Sequence, residues 1–223
     1  DVAGVLPINP RWGIETTAIH YLGYGEAMEL SRLDTPVIHP ATVEPLSPVG
    51  IPLKIMHLYQ EMEFSQTTIG PDIYDEYRIK GIGCLASVAS LSIETLSLEA
   101  QSKNLGHLLV DFSNEDISCW NLHSQPGELR LIISQHDLIK SQQIVAKHFQ
   151  SPTVETYSAM ISLVGNGTEQ QQMALFEEIS KKWEFELLSQ SPHSVRLLAK
   201  DEDVKSILVE MSQCYNLCNT LHQ

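Results

Sequence analysis

The stretch Pro126-Gly127-Glu128-Leu129-Arg130-Leu131-Ile132-Ile133-Ser134 decides how this chain reads. Pro-Gly marks a turn, and Leu129, Leu131 and Ile133 then share one face opposite Arg130 and Ile132, which predicts a strand over Glu128–Ser134. Working outward, 117–123 reads as the strand before it, 102–114 as a helix, and 82–98 as one strand or two, while 137–149 is a helix that follows. The order is β-α-β-β-α. It recurs downstream as strand 158–164, a break at Gly165-Asn166-Gly167, helix 170–182, strands 185–189 and 194–200 around Pro192-His193, and helix 201–215. A repeat of about 75 residues thus rests on element order and not on letter identity. A β-α-β-β-α-β unit is the ferredoxin-like motif, with two helices on one face of an antiparallel sheet, so the expected class is α+β with two such units in tandem.

Upstream, residues 1–69 are rich in Pro and Gly. A helix is expected over Tyr24–Arg32 with Ala27, Met28 and Leu30 on one face, an extended piece at 37–40, a short helix at 41–46 stopped by Pro48 and Gly50, and a strand at 51–56. Residues 60–77 are polar and acidic with a Gly70-Pro71 breaker, and read as a linker with a boundary at 70–78. The abrupt start at Asp1 reads as that of a fragment, whose first 69 residues should pack on the tandem units only partly and expose apolar surface.

Charge and composition narrow the function. The 14 Lys+Arg against 28 Asp+Glu give a net charge of −14, which repels phosphates and excludes nucleic acid as an expected partner. No apolar run approaches the roughly 20 residues that span a bilayer, so no membrane association is expected. Cys84, Cys119, Cys214 and Cys218 form no CxxC pair, which favours reduced thiols and a cytoplasmic setting. The 9 histidines show no metal-binding spacing, so no metal is expected; His39, ahead of Pro40, reads as structural. Gly165-Asn166-Gly167 before a helix has the form of a carboxylate cradle, although capping alone would also explain it. Trp120 reads as core or as a stacking surface for a small molecule.

Several ordered blocks carry a family resemblance. Asp1-Val2-Ala3-Gly4-Val5, Asn9-Pro10-Arg11, Tyr24-x-Glu26-Ala27-Met28-Glu29-Leu30, Val37-Ile38-His39-Pro40 and Gly50-Ile51-Pro52-Leu53-Lys54 resemble the last part of the amino-acid-kinase domain of aspartate kinases. Gln66-Thr67-Thr68-Ile69-Gly70, Glu115-Asp116-Ile117-Ser118-Cys119 and Ser162-Leu163-Val164-Gly165-Asn166 resemble blocks at and within the tandem ACT regulatory domains that follow it. The resemblance implies three segments: 1–69, the C-terminal piece of an α/β amino-acid-kinase domain; 70–152, a first ACT domain; and 153–223, a second. It also implies a full-length enzyme that uses ATP with Mg to phosphorylate L-aspartate for lysine, threonine and methionine synthesis. The family's Lys-x-Gly-Gly-Thr-Ser opening is not in this sequence, so the chain alone is expected to be inactive and to hold no cofactor.

Four positions match the family's nucleotide contacts: Asp1 and Arg11 keep the family residue, whereas Leu6 stands where it has Tyr and Pro36 where it has Lys. Losing a cation and a phenol there favours a rival reading, a non-catalytic ACT scaffold with a decayed nucleotide site. The family's amino-acid effector site aligns with a loop at 98–105, here Leu98, Lys103, Asn104 and Leu105, and with Ser118, Cys119, Trp120 and Gln125 on and after the next strand. Trp120 replaces an Asp that would pair an effector's ammonium. Lysine or threonine is the implied effector and a homodimer through the ACT domains the implied assembly.

Overall fold

In the computed structural model, which describes residues 4–33, 39–57, 66–74, 78–95, 97–167, 169–200 and 203–217, Tyr21–Gly23 (β1) runs directly into helix Tyr24–Arg32 (α1). A one-turn helix, Pro40–Val43 (α2), follows, with the His39 ring accepting the Ala41 N–H at 3.2 Å, so His39 is a cap. Leu53–Ile55 (β2) and Thr67–Gly70 (β3) complete a three-stranded sheet in the order β1-β3-β2, parallel at Leu22↔Ile69 and antiparallel at Leu53↔Ile69. The central strand β3 therefore lies inside the segment that its composition marks as linker. A four-residue strand is too short to register as a period, yet Ile69 is fully buried and the Thr67 hydroxyl accepts the Val5 N–H at 2.8 Å.

The repeat is present as read. Gly81–Glu94 (β4), Leu98–Asn114 (α3), Cys119–Gln125 (β5), Glu128–Ser134 (β6) and Leu138–His148 (α4) are followed by Thr153–Val164 (β7), Glu169–Ile179 (α5), Phe185–Ser191 (β8), Ser194–Ala199 (β9) and Val204–Cys214 (α6). The stretch at 82–98 resolves as one strand of 14 residues. By backbone contact the chain divides into two units, one of residues 1–85 with 160–223 and one of residues 86–159. This division cuts within β4 and β7, because each of these long strands contributes to both units.

In the unit of residues 86–159, β6 lies between β5 and β4, with antiparallel register Leu91↔Leu131 and Leu122↔Leu131. Leu129, Leu131 and Ile133 are fully buried with Leu108 and Phe112 of α3 and Ile144 and Val145 of α4. In the other unit β9 lies between β7 and β8, with Leu187↔Leu197 opposed. There Val5, Leu22, Ala27, Leu30, Val43 and Ile69 share a core with Val164 of β7, so the N-terminal residues are built into the same unit as the second repeat. Val49, Ile51 and Met56 are exposed. Among the described residues no helix is long and apolar enough to cross a membrane, and no cluster of His, Cys, Asp or Glu is arranged to hold a metal. Among the described residues Cys84, Cys119 and Cys214 form no disulfide; Cys218 lies outside them.

Candidate functional site

The residues aligned with an effector loop are helical. α3 begins at Leu98 because the Ser97 hydroxyl accepts the Ala100 N–H at 3.3 Å and its carbonyl accepts the Gln101 N–H, with Glu99 in the first turn, so the expected loop at 98–105 is corrected to the first two turns of α3. A cavity of about 260 Å³ opens there, lined by Glu94, Thr95, Gln101, Asn104, His148 and Phe149 among others. Asn104 donates from Nδ2 to the His148 carbonyl at 2.8 Å and is the one candidate effector residue on the cavity wall. Lys103 is exposed and Leu105 packs on the core. Ser118 is exposed, and Cys119 and Trp120 are half-buried at the start of β5. Burial pushes the Cys119 thiol up to about 11, and the sulfur lies 3.1 Å from the Asn121 carbonyl, so it is inert packing rather than a reactive group. The Leu98 side chain lies outside the described residues.

Sequence reasoning missed Gln101, which ties the cavity together. It is 2% exposed; its Oε1 accepts from Thr95 Oγ1 at 2.9 Å, and its Nε2 donates to Ser124 Oγ at 2.8 Å and to the Gln125 and Glu128 carbonyls at 3.3 and 3.2 Å. Gln125 thus meets the site through its backbone, while its own side chain donates to Glu128 at 2.7 Å. The available signal was spacing: Gln101 lies three residues before Asn104, on the same helix face. At the far end His148 Nε2 sits 2.8 Å from Asp111 Oδ2, a bond that holds the Asp111 carboxyl below its ordinary range. Chemically the cavity offers the Glu94 carboxylate to an ammonium and, near the positive end of α3, the second Asn104 amide hydrogen to a carboxylate, the two ends of a zwitterionic amino acid.

A second constellation lies wholly in the unit of residues 1–85 and 160–223. The block Tyr24-Gly25-Glu26-Ala27-Met28-Glu29-Leu30 forms α1, and its two carboxylates, three residues apart, share one buried face. Glu26, fully buried, accepts the Gly23 N–H at 2.7 Å, the Lys80 ammonium at 2.7 Å and the Asn166 N–H at 3.0 Å. The cradle form of Gly165-Asn166-Gly167 is therefore filled from within by Glu26, while the Gly165 and Gly167 N–H groups donate to the His193 and Pro192 carbonyls. The Asn166 side chain donates to the Ile73 carbonyl at 2.8 Å, which turns its Oδ1 toward His193 Nδ1 at 2.7 Å and assigns the ring proton to Nδ1. Glu29 accepts from Ser194 Oγ at 3.0 Å and Arg196 Nη2 at 2.7 Å on β9. Asp72 caps the Gly25 N–H at 3.1 Å. Side chains that the sequence marked only as part of a motif thus fasten α1 to the second repeat.

Of the nucleotide-contact candidates, Asp1 and Pro36 lie outside the described residues. Leu6 is half-buried, and Arg11 is exposed in a 3₁₀ turn, Pro10–Trp12, whose Arg11 N–H donates to Asn9 Oδ1 at 2.9 Å.

No protein-family model matches the chain. It is 25% identical over 233 residues to an aspartokinase of Bacillus sp. (strain MGA3), covering 100% of this chain and 55% of that protein. A bifunctional aspartokinase/homoserine dehydrogenase of Haemophilus influenzae is 24% identical over 238 residues, with 100% of this chain and 28% of that protein covered. The chain thus spans little more than half of the Bacillus relative and less of the bifunctional one. Among solved structures, the aspartate kinase of Clostridium acetobutylicum superposes with a TM-score of 0.76 at 22% identity over 98% of this chain and 53% of that one. Aspartokinase III of E. coli in complex with aspartate and ADP gives 0.72 at 17% identity over 96% of this chain and 50% of that one. In sequence and in fold alike, over its full length, the chain resembles the aspartokinases, with an amino-acid-kinase piece leading into tandem ACT-type units.

Proposed function

We propose that this chain is the C-terminal, regulatory portion of an aspartate kinase, with segments 1–69, 70–152 and 153–223 as the kinase-domain end and two ACT domains. In this reading the whole protein transfers phosphate from ATP, with Mg, to L-aspartate in the cytoplasm. The chain alone is inactive, binds an amino-acid effector, lysine or threonine, and pairs with a second copy through its ACT domains. The observation that carries the reading is the seating of α1: a kinase-type helix is bonded through Glu26 and Glu29 to Lys80, Asn166, Ser194 and Arg196 inside one unit with the second repeat. An element held that tightly carries a shift in one part to the other, and allosteric coupling of this kind is typically about 1–3 kcal/mol. The zwitterion-compatible cavity of the 86–159 unit supports an amino-acid effector, and E. coli aspartokinase III, of similar fold, is known in complex with lysine and aspartate.

A ligand that binds only the folded state raises its melting point. Lysine or threonine at millimolar concentration is expected to raise the Tm of this chain and, in the full-length protein, to lower kinase activity. Absence of a shift with lysine, threonine, methionine and S-adenosylmethionine would overturn the effector reading. The rival, a non-catalytic ACT scaffold, is favoured by Leu6 and Pro36, since neither side chain can donate a hydrogen bond to a triphosphate. ATP titration of the full-length protein separates them, because the scaffold reading requires no binding.

A further inference from the structure

A cavity of about 310 Å³ in the unit of residues 1–85 and 160–223 has no role in the reading above. Its charged lining is of one sign. Arg78 and Lys80 face it, and among the described residues no Asp or Glu lines it, in a chain with 28 acidic residues. Ile19, Ile79 and Leu217 supply apolar wall, and the Tyr21 ring lies under the Lys80 ammonium at 5.7 Å from Nζ to the ring centroid. Both cations are positioned by backbone. The Lys80 N–H donates to the Val164 carbonyl at 2.8 Å, and the Arg78 carbonyl passes so close to Gly165 that a Cβ there would fall 2.1 Å from it. Glu26 takes one proton of the Lys80 ammonium and fixes its direction; no other hydrogen bond to Nζ is made among the described residues, which leaves donors toward the cavity. Arg78 is exposed and forms no hydrogen bond or ion pair with another described residue.

With Lys80 neutralised by Glu26, the wall carries about one net positive charge, from Arg78, beside apolar surface and an aromatic face. The Tyr21 hydroxyl donates to the Pro71 carbonyl, so the ring is held in place. A phosphate dianion is over-charged for such a wall, and the ammonium of a zwitterion has no carboxylate there to meet it. We propose that this cavity binds a small organic carboxylate with a flat or apolar body and no ammonium group, its carboxylate on Arg78 and Lys80 and its body against Tyr21 and Ile79. It is a different site from the cavity of the 86–159 unit and takes a different class of ligand.

Benzoate, benzamide and benzylamine differ in charge at nearly constant shape, and their binding to the whole chain by ligand-observed NMR tests the assignment. Benzoate is expected to bind about tenfold more tightly than the other two, as one charge-assisted contact implies. Arg78→Gln, an exposed position, should erase that preference, and Thr17→Trp, at the exposed rim, should block benzoate by filling the cavity. Equal binding of the three probes, a preference that survives Arg78→Gln, or benzoate binding that survives Thr17→Trp would overturn it.

Discussion

Glu29 shows how much one buried carboxylate decides. It accepts from Ser194 and Arg196, with Arg32 at 3.4 Å on its other oxygen, and is 8% exposed. Removing one member of a buried pair leaves the other desolvated, so Glu29→Ala is expected to cost about 3 kcal/mol in urea unfolding, and a double-mutant cycle with Arg196→Ala should show a coupling well above that of a surface pair. Cys119 illustrates the opposite case, a group silenced by burial. With its thiol raised to about 11, only a trace is thiolate near pH 8, and alkylation followed by peptide mass spectrometry should leave Cys119 unmodified until the chain unfolds or the pH approaches that value. Neither behaviour was legible in the sequence. Glu26 and Glu29 were visible as a motif, but the partners that fasten them beyond α1 and its cap lie 54 to 167 positions away, and a motif does not name what it touches.

Among elements, the two helices that begin each section of the fold respond oppositely to the same change. In α1 a Cβ on Gly25 would fall 2.3 Å from the His193 ring, so Gly25→Ala must push the helix start from the Pro192-His193 turn and should cost about 1–3 kcal/mol. In α3 a Cβ on Gly106 meets nothing within 4 Å, and Gly106→Ala should stabilise the chain by about 1 kcal/mol; thermal unfolding of both variants checks the contrast. α3 also carries an acid sensitivity. His148 holds Asp111, and Lys140 holds Glu115, below their ordinary values of 3.8 and 4.5. Lowered carboxyls stabilise the fold fully above those values and cease to do so as the pH falls through the depressed ones, so Asp111→Asn should flatten the acid limb of a pH–stability curve. Periodicity located α1, β6 and the order of both repeats, because their apolar faces are long enough to count. It placed the start of α3 four residues late, since the capping Ser97 carries no hydrophobic signal, and it passed over β3, whose four residues show too little pattern.

At the scale of the molecule, the division by contact bears on how the chain can be cut. Val164 packs with Leu22, Leu30 and Ile69, and Ile82 accepts neither a free start nor a free edge, since its N–H donates to the Pro7 carbonyl at 2.7 Å. Residues 153–223 expressed alone would therefore lose a large share of their core, and circular dichroism is expected to report them as unfolded; a cooperative melt of that fragment would contradict the shared core. The net charge of −14 adds a general self-repulsion, so raising salt from roughly 0.01 M to 0.1 M, which shortens the screening length from about 30 to 10 Å, should raise the Tm of the intact chain. The tandem repeat that the sequence announced is thus real as an order of elements, while the grouping by contact follows long strands whose ends belong to different units.

One of those strands, β4, contains Ser87 at φ 57°, a left-handed conformation in the middle of a strand. Ala86 and Ser87 are exposed between buried stretches, and pairing with β6 starts only at Val88. In amide hydrogen exchange, then, β4 should not behave as one strand: the amides of Ala86 and Ser87 should trade their protons early, separating two slow segments that each report the opening of a different part of the protein.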